Sequence, residues 1–308
     1  MGYQDARFAH RADLGGHGFA DLLKWRLGME PGDDHASRPR WESIPVAYDT
    51  LAVVRANPSR AMVTWFGHAS ALIRLEGVNI LVDPVEGSIP FVRRESPDAR
   101  ILDAVPRPAA VLITHNHFDH MDATTLERFE RGTPMIVPLG MGEWFTKRGF
   151  RSVKEMDWWE SVEVAGLDVK YLPARHWSKR TLFDTLETLW GGYIVRSKTH
   201  AVYHAGDSGY FGGFAEIGKR FDRIDVTLMP IGAYSPRWFM QAAHMDPAEA
   251  IKATLDVKAA ALIPIHYGSF RLSDEPMTEP PAMMEVAARE AGFDRTRLLP
   301  IGGTLFLD

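Results

Sequence analysis

The chain is 308 residues long, 45% apolar and 24% charged, with a formal net charge of −5 and no cysteine. That length buries a sizeable core in one large domain or two small ones, and the mild acidity gives no global field for nucleic acid. Without cysteine there is no disulfide, no thiolate nucleophile and no Cys-ligated zinc.

The first residues carry no apolar stretch of the secretory kind, and nowhere do about 18 apolar residues run together as a membrane span requires. The expectation is a soluble, cytoplasmic protein, with peripheral contact at the inner membrane surface left open. Residues 1–60 hold scattered glycine, proline and charge and read as an N-terminal arm packed on a main domain at 61–308. Within the arm, "FADLLKWRLGM" (Phe19–Met29) is an amphipathic helix candidate, with Phe19, Leu22 and Leu23 at helical spacing and Lys24 and Arg26 elsewhere on the turn. Packing on the main domain is the expectation, in preference to membrane contact.

From Met62 the texture changes to short strands. "AMVTWFGHASALIRLEGVNILVDP" reads as strand, turn, strand, turn, strand, ending at Asp83-Pro84. "AAVLITH" (Ala109–His115) is a buried strand, and "DATTLERFERG" a helix with Asp122 as N-cap and Gly132 as stop. "TPMIVPL" is another strand, followed by a short helix, "GMGEWFTKRGF", that stops at Gly149. "VEVAGLDVKYLPARHW" is a hairpin leading to His176, and Leu189–Asp207 repeats the earlier scheme of strand, polar turn, strand and acidic terminus. A strand "IDVTLMPIGA", a helix "MDPAEAIKATLDV", a strand "AALIPIHYG" and a last strand "TLFLD" complete the chain. Two similar halves, rich in hairpins and interleaved with helices, predict an α+β fold: an αββα sandwich of two mixed sheets packed face to face with helices outside.

The stretch "ITHNHFDHMD" (Ile113–Asp122) fits His-x-His-x-Asp-His. In extended backbone His115 and His117 point the same way, so both rings can reach one ion. Asp119 and His120 follow where the chain turns, close enough to serve a second ion beside the first. His176, Asp207 and His266 each fall just past a predicted strand, and loops at one end of a rigid sheet are where sites collect. Imidazole nitrogen and carboxylate oxygen suit zinc, and manganese or iron to a degree.

"THNHFDH", "ARHW", "AGDSGY" and "IPIHYG" resemble the ligand loops of the metallo-β-lactamase fold superfamily. "VTWFGHAS", "MDWWE", "HWSKRTLFDT", "LWGGY", "EIGKRF", "PIGAYSPRWFM" and "HMDPAEA" narrow the likeness to N-acyl-phosphatidylethanolamine-hydrolysing phospholipase D and its bacterial relatives, over about Met62–Gly292. The resemblance implies two zinc ions: His115, His117 and His176 on the first, Asp119, His120 and His266 on the second, and Asp207 between them. It also implies a metal-dependent phosphoric diester hydrolase of the phospholipase D type, in which hydroxide generated between the metals attacks phosphorus. Asp119 would ligate one zinc and orient the nucleophile. His244, in "QAAHMDPAEA", would meet the phosphate or the leaving oxygen; the alternative is a histidine beside a helix cap formed by Asp246. Tyr234, Arg237 and Trp238, in the apolar loop "GAYSPRWFM", are the substrate-binding candidates, with Arg237 available to a phosphate.

The remaining polar positions take quieter roles. His68 organises a turn near the site, His204 faces away from Asp207, His200 sits in a turn, and His10, His17 and His35 are solvated. Asp83 anchors a ligand loop by hydrogen bonds. The expected partner is a phospholipid or other phosphodiester, with no nucleic acid and a homodimer open. A lactonase or a small-molecule phosphodiesterase on the same metals is the alternative activity, because one site design serves many chemistries.

Overall fold

The structure, a computed structural model, describes residues 6–307 apart from 14, 16–18, 99 and 106, and His17 thus lies outside the described residues. Thirteen strands among the described residues form two mixed sheets. The first orders β13 (Thr304–Phe306), β1 (Met62–Gly67), β2 (Ser70–Leu75), β3 (Val78–Val82), β4 (Ala110–Leu112), β5 (Met135–Pro138) and β6 (Val153–Met156). The second orders β12 (Ala259–Ile265), β11 (Ile224–Pro230), β10 (Ala201–His204), β9 (Gly191–Arg196), β8 (Leu167–Pro173) and β7 (Ser161–Val164).

Period-two alternation divides the first sheet between two cores. Val63, Trp65, Ile73, Ile80, Val82, Leu112 and Ile136 join the core shared with the second sheet. Their neighbours Met62, Phe66, Leu72, Leu81, Val111 and Met135 form a second core with α2 (Thr50–Ala56), α3 (Ile101–Ala104), α4 (Ala123–Leu126) and α5 (Gly142–Thr146). Against the second sheet pack α6 (Gly213–Arg220), α8 (Pro247–Asp256) and α9 (Glu279–Glu290), through Phe214, Ile217, Ile251 and Met284. Both sheets are therefore covered on both faces, which is why β1 and β2 are buried at every position.

Strand direction gathers the site. β3 and β4 are parallel, β10, β11 and β12 are parallel, and β8 and β10 are each antiparallel to β9. Asp83, His115, His176, Asp207 and His266 all follow the carboxyl ends of strands that run the same way within their sheet. Tyr171 donates its hydroxyl to the Thr114 carbonyl (2.9 Å), and Tyr193 donates to that of Ile113 (3.0 Å). Two tyrosines of the second sheet thus grip the backbone that leads into the histidine run of the first.

The expected elements form, with differences that have local causes. The helix begun by Asp122, whose carboxylate accepts from Thr124 and Thr125, ends at Leu126 and gives way to turns well before Gly132. Asp246 builds a full capping box with Glu249, with Pro247 in the first turn. α9 is an addition to the elements expected from the sequence; its two prolines occupy the first turn, where no amide donor is needed. In the arm, α1 (Phe19–Arg26) rests on α7 (Arg237–Met240) through Trp25, whose ring lies 5.4 Å from that of Phe239, while Leu23 is left exposed. His10 is exposed as expected, but His35 is not solvated: its Nδ1 lies 2.8 Å from Glu279 Oε2 and its Nε2 2.9 Å from Ser235 Oγ. A fully buried carboxylate needs partners, and Arg38 and Tyr234 also donate to Glu279.

Two glycines at the site end are obligatory. Gly206 has φ +64°, and a Cβ there would meet the Gly191 carbonyl at 2.5 Å; one at Gly232 would meet the His266 carbonyl at 2.1 Å. Gly206→Ala should destabilise the fold by at least about 1–2 kcal/mol from the left-handed backbone alone. Chemical denaturation of the two proteins side by side measures it, and an unchanged midpoint would refute the steric account.

Candidate metal centre

Seven polar side chains from both sheets converge at the strand ends, with His68 as an eighth beside them. His115, His117, His176 and Asp207 form one group and His68, Asp119, His120 and His266 another; within each group one ligand-capable atom per residue lies within 4.8 Å of all the others. Asp207 Oδ2 is central to both: it lies 3.8 Å from His115 Nε2, 3.7 Å from His176 Nε2, 3.2 Å from His120 Nε2 and 3.0 Å from His266 Nε2. His117 Nδ1 completes the first group, 2.8 Å from His115 Nε2 and 3.3 Å from His176 Nε2. Ligands about 2.0–2.2 Å from a tetrahedral zinc are themselves roughly 3.3–3.6 Å apart, so the spacing suits such an ion.

The outer nitrogens fix which way the inner ones face. His176 Nδ1 donates to the Ala243 carbonyl (3.0 Å), which turns its Nε2 lone pair inward. His120 Nδ1 donates to Asp83 Oδ2 (2.7 Å), with the same result. Thr114 Oγ1 gives its only proton to Asp83 (2.6 Å) and therefore accepts from His115 Nδ1 (3.0 Å). Asp83, itself fully buried at φ +44°, thus orients two histidines at once, as its place in the repeated strand scheme predicts. His204 stays outside both groups: it donates from Nε2 to the Ala69 carbonyl and accepts the Gly206 amide on Nδ1.

Electrostatics point the same way. Burial raises the pKa of Asp119 and Asp207, but His120 and His266 outweigh it and hold both well below the usual carboxylate range. Conversely, burial works against charge on His266, yet the two carboxylates bring it up to about 9. Burial together with neighbouring imidazoles holds His115 well below its ordinary value, and burial alone dominates at His117 (about 4). Two enclosed carboxylates demand nearby positive charge, which imidazolium or a dication can supply. Buried atoms with no hydrogen-bond partner gather here: His117 Nε2, His120 Nε2, Asp207 Oδ1 and both ring nitrogens of His266. Such atoms are costly in a protein interior unless something binds them. The donor set, its spacing and its orphaned atoms fit divalent metal.

His244 joins a third group with Asp207 and His266, its ring 5.1 Å from that of His176 and 5.5 Å from that of His266. Desolvation lowers its pKa to about 3, so the ring is neutral. The other loop candidates are less open than the sequence reading expects. Tyr234 is 1% exposed and donates its hydroxyl to Glu279 (2.7 Å). Arg237 is bound internally to Glu249 (2.9 Å) and to the His244 carbonyl (3.0 Å), so it braces the His244 loop and is not free for a phosphate. Trp238 is half-buried with its ring 5.5 Å from Phe239. Tyr234 and Arg237 line a cleft of about 170 Å³ with Arg38, Asp246, Met283 and Val286. His68 is the residue whose part the sequence understates: it does occupy a turn, at φ +51°, but its Nε2 also lies 2.8 Å from Asp119 Oδ2.

Comparison with known proteins agrees with this geometry. Residues 78–267 match the model of the Beta-lactamase superfamily domain. The chain is 34% identical over 300 residues to the mitochondrial N-acyl-phosphatidylethanolamine-hydrolyzing phospholipase D of Saccharomyces cerevisiae, covering 92% of this chain but only 64% of the yeast protein. It is 31% identical to a metal-dependent hydrolase of Methanopyrus kandleri, over 75% of this chain and 93% of the other. The solved structure of a metallo hydrolase from Ignicoccus hospitalis superposes with a TM-score of 0.63 at 27% identity, over 80% of this chain and 98% of that one. With the matched domain taking in all seven converging residues and well over half of the chain, this protein belongs to the beta-lactamase superfamily as one of its metal-dependent hydrolases.

Proposed function

We propose that the chain is a dinuclear zinc phosphodiesterase that hydrolyses N-acyl-phosphatidylethanolamine-like glycerophospholipids to N-acylethanolamine and phosphatidic acid. The observation that carries it is Asp207, whose single oxygen faces two histidines of each group. One carboxylate shared between two ligand sets is what a bridged metal pair requires. His115, His117 and His176 would hold the first ion and Asp119, His120 and His266 the second. Bound zinc would supply Lewis acidity toward the phosphoryl oxygens and an acidified water as nucleophile. The name of the yeast relative supports the phospholipase D type of chemistry.

The chain's own residues do the rest. The water oxygen bonds to phosphorus as the P–O bond to the ethanolamine oxygen breaks; the departing oxygen takes up a proton and phosphatidic acid retains the phosphate. Asp119, the most exposed of the two carboxylates, accepts a hydrogen bond from the attacking water and so aims it. His244, a neutral ring beside both groups, donates a hydrogen bond to the phosphoryl or leaving oxygen. Trp238 and Phe239 form an apolar wall for acyl chains, and Tyr234 and Arg237 serve substrate indirectly by bracing that wall. The internal pairing of Arg237 favours a second reading, because it removes the cation expected at the phosphate. That alternative is a lactonase or small-molecule phosphodiesterase on the same metals.

Metal analysis of the parent should find two equivalents, and chelation should abolish release of N-acylethanolamine from N-acyl-phosphatidylethanolamine vesicles until zinc is restored. Asp207→Asn should lose metal and reduce turnover at least about 100-fold. A parent with two metals that leaves the vesicles intact but opens lactones would decide for the second reading. His244→Ala should lower kcat by about 10²-fold or more while both metals stay bound; unchanged kcat would remove this residue from the chemistry.

A further inference from the structure

We propose that His68 is a positioning residue that links Asp119 to His266 and thereby sets the second metal position and not the first. The inference rests on the two-metal reading above.

Two separate connections leave this one residue. Its ring Nε2 lies 2.8 Å from Asp119 Oδ2, the oxygen that also faces His266 Nε2 at 3.5 Å and His120 Nε2 at 3.6 Å. An ionised carboxylate can only accept, so the proton sits on His68 Nε2 and Asp119 is the acceptor. Its main-chain carbonyl accepts the backbone amide of His266 (2.8 Å) and also the indole N–H of Trp65 (2.8 Å). The left-handed turn between β1 and β2, φ +51°, is what lets ring and carbonyl point at two different residues of one group. The ring is 1% exposed, its centroid 4.1 Å from that of the tilted His266 ring, and it is set edge-on to Phe270 at 5.0 Å, so it has no freedom to swing away.

The other group has its own, different support. His115 is tied through Thr114 to Asp83, which also holds His120 of the second group, and His176 is tied to Ala243. His68 makes no hydrogen bond to His115, His117 or His176. Loss of its ring should therefore act on one metal and spare the other. Direct ligation by His68 is the competing account, since its ring falls within the second group. It is disfavoured because Nε2 is spent on Asp119, so that only Nδ1, buried without a hydrogen-bond partner, could ligate, and the variants below separate the two accounts.

The test compares metal content and zinc affinity of the parent, His68→Ala and His68→Gln, with thermal unfolding of the chelated proteins as the control for folding. Both replacements must adopt the same left-handed backbone, so the comparison isolates the side chain. A glutamine amide can donate to Asp119 but is a poor substitute for an imidazole ligand. The expected result is two equivalents in the parent, one tightly held in His68→Ala with the second weakened 10- to 100-fold, and two again in His68→Gln. A parent with two equivalents and a His68→Ala that holds both at parental affinity would overturn this inference alone. Equal loss in the alanine and glutamine variants would overturn it in favour of direct ligation. A parent with fewer than two equivalents would overturn the two-metal reading, and this inference with it.

Discussion

Burial of two carboxylates among six imidazoles is the constraint on which the rest of this structure depends. An unpaired charge so enclosed costs several kcal/mol, and His120 and His266 each stand between the two, 3.0–3.6 Å from an oxygen of both Asp119 and Asp207. The protein arranges histidines around each oxygen and then anchors those histidines from behind through Asp83, Thr114 and Ala243. Every outer partner is a main-chain carbonyl, a hydroxyl or a further buried carboxylate. The cluster is therefore organised as layers of hydrogen bonds with the donor lone pairs turned inward.

The fold supplies this arrangement by bending the chain sharply at strand ends. His68, Asp83, Gly206, Ala233 and His266 all have positive φ and sit at or beside the converging residues. Such backbone costs of order 1–3 kcal/mol for each side chain that must adopt it, and it is tolerated because the strands on either side are buried on both faces. Stability resides in the sheets, while the bends that aim the functional groups draw on it. The polarity of the strands makes this economical, since five separate carboxyl ends open onto one edge.

Much of this was legible in the sequence. Strand signals were strong because both sheet faces are apolar, and the His-x-His-x-Asp-His run and the histidines beyond "KYLPAR" and "AALIPI" stand at visible strand ends. Asp83 could be matched to Asp207 because the two halves repeat. What was hidden depends on distant partners. That Arg237 pairs with Glu249 twelve residues on, that His35 reaches Glu279 and Ser235, and that Trp25 docks α1 on Phe239 cannot be inferred from local pattern. α9 is hard to foresee because adjacent prolines can end a helix or, as here, begin one. The link from His68 to Asp119 spans 51 residues and joins a turn to a loop, with no periodicity to announce it.

The hydroxyls of Tyr171 and Tyr193 place a ruler across the molecule. Four of the seven converging residues come from the first sheet and three from the second, so the site exists only while the two sheets keep one relative offset. Each tyrosine measures that offset from the second sheet to the main chain just before His115. Slippage between the layers would separate the two groups of converging side chains before it exposed any core. Loops around the mouth can therefore diversify freely among related enzymes, whereas the interior seam between the sheets must hold its gauge.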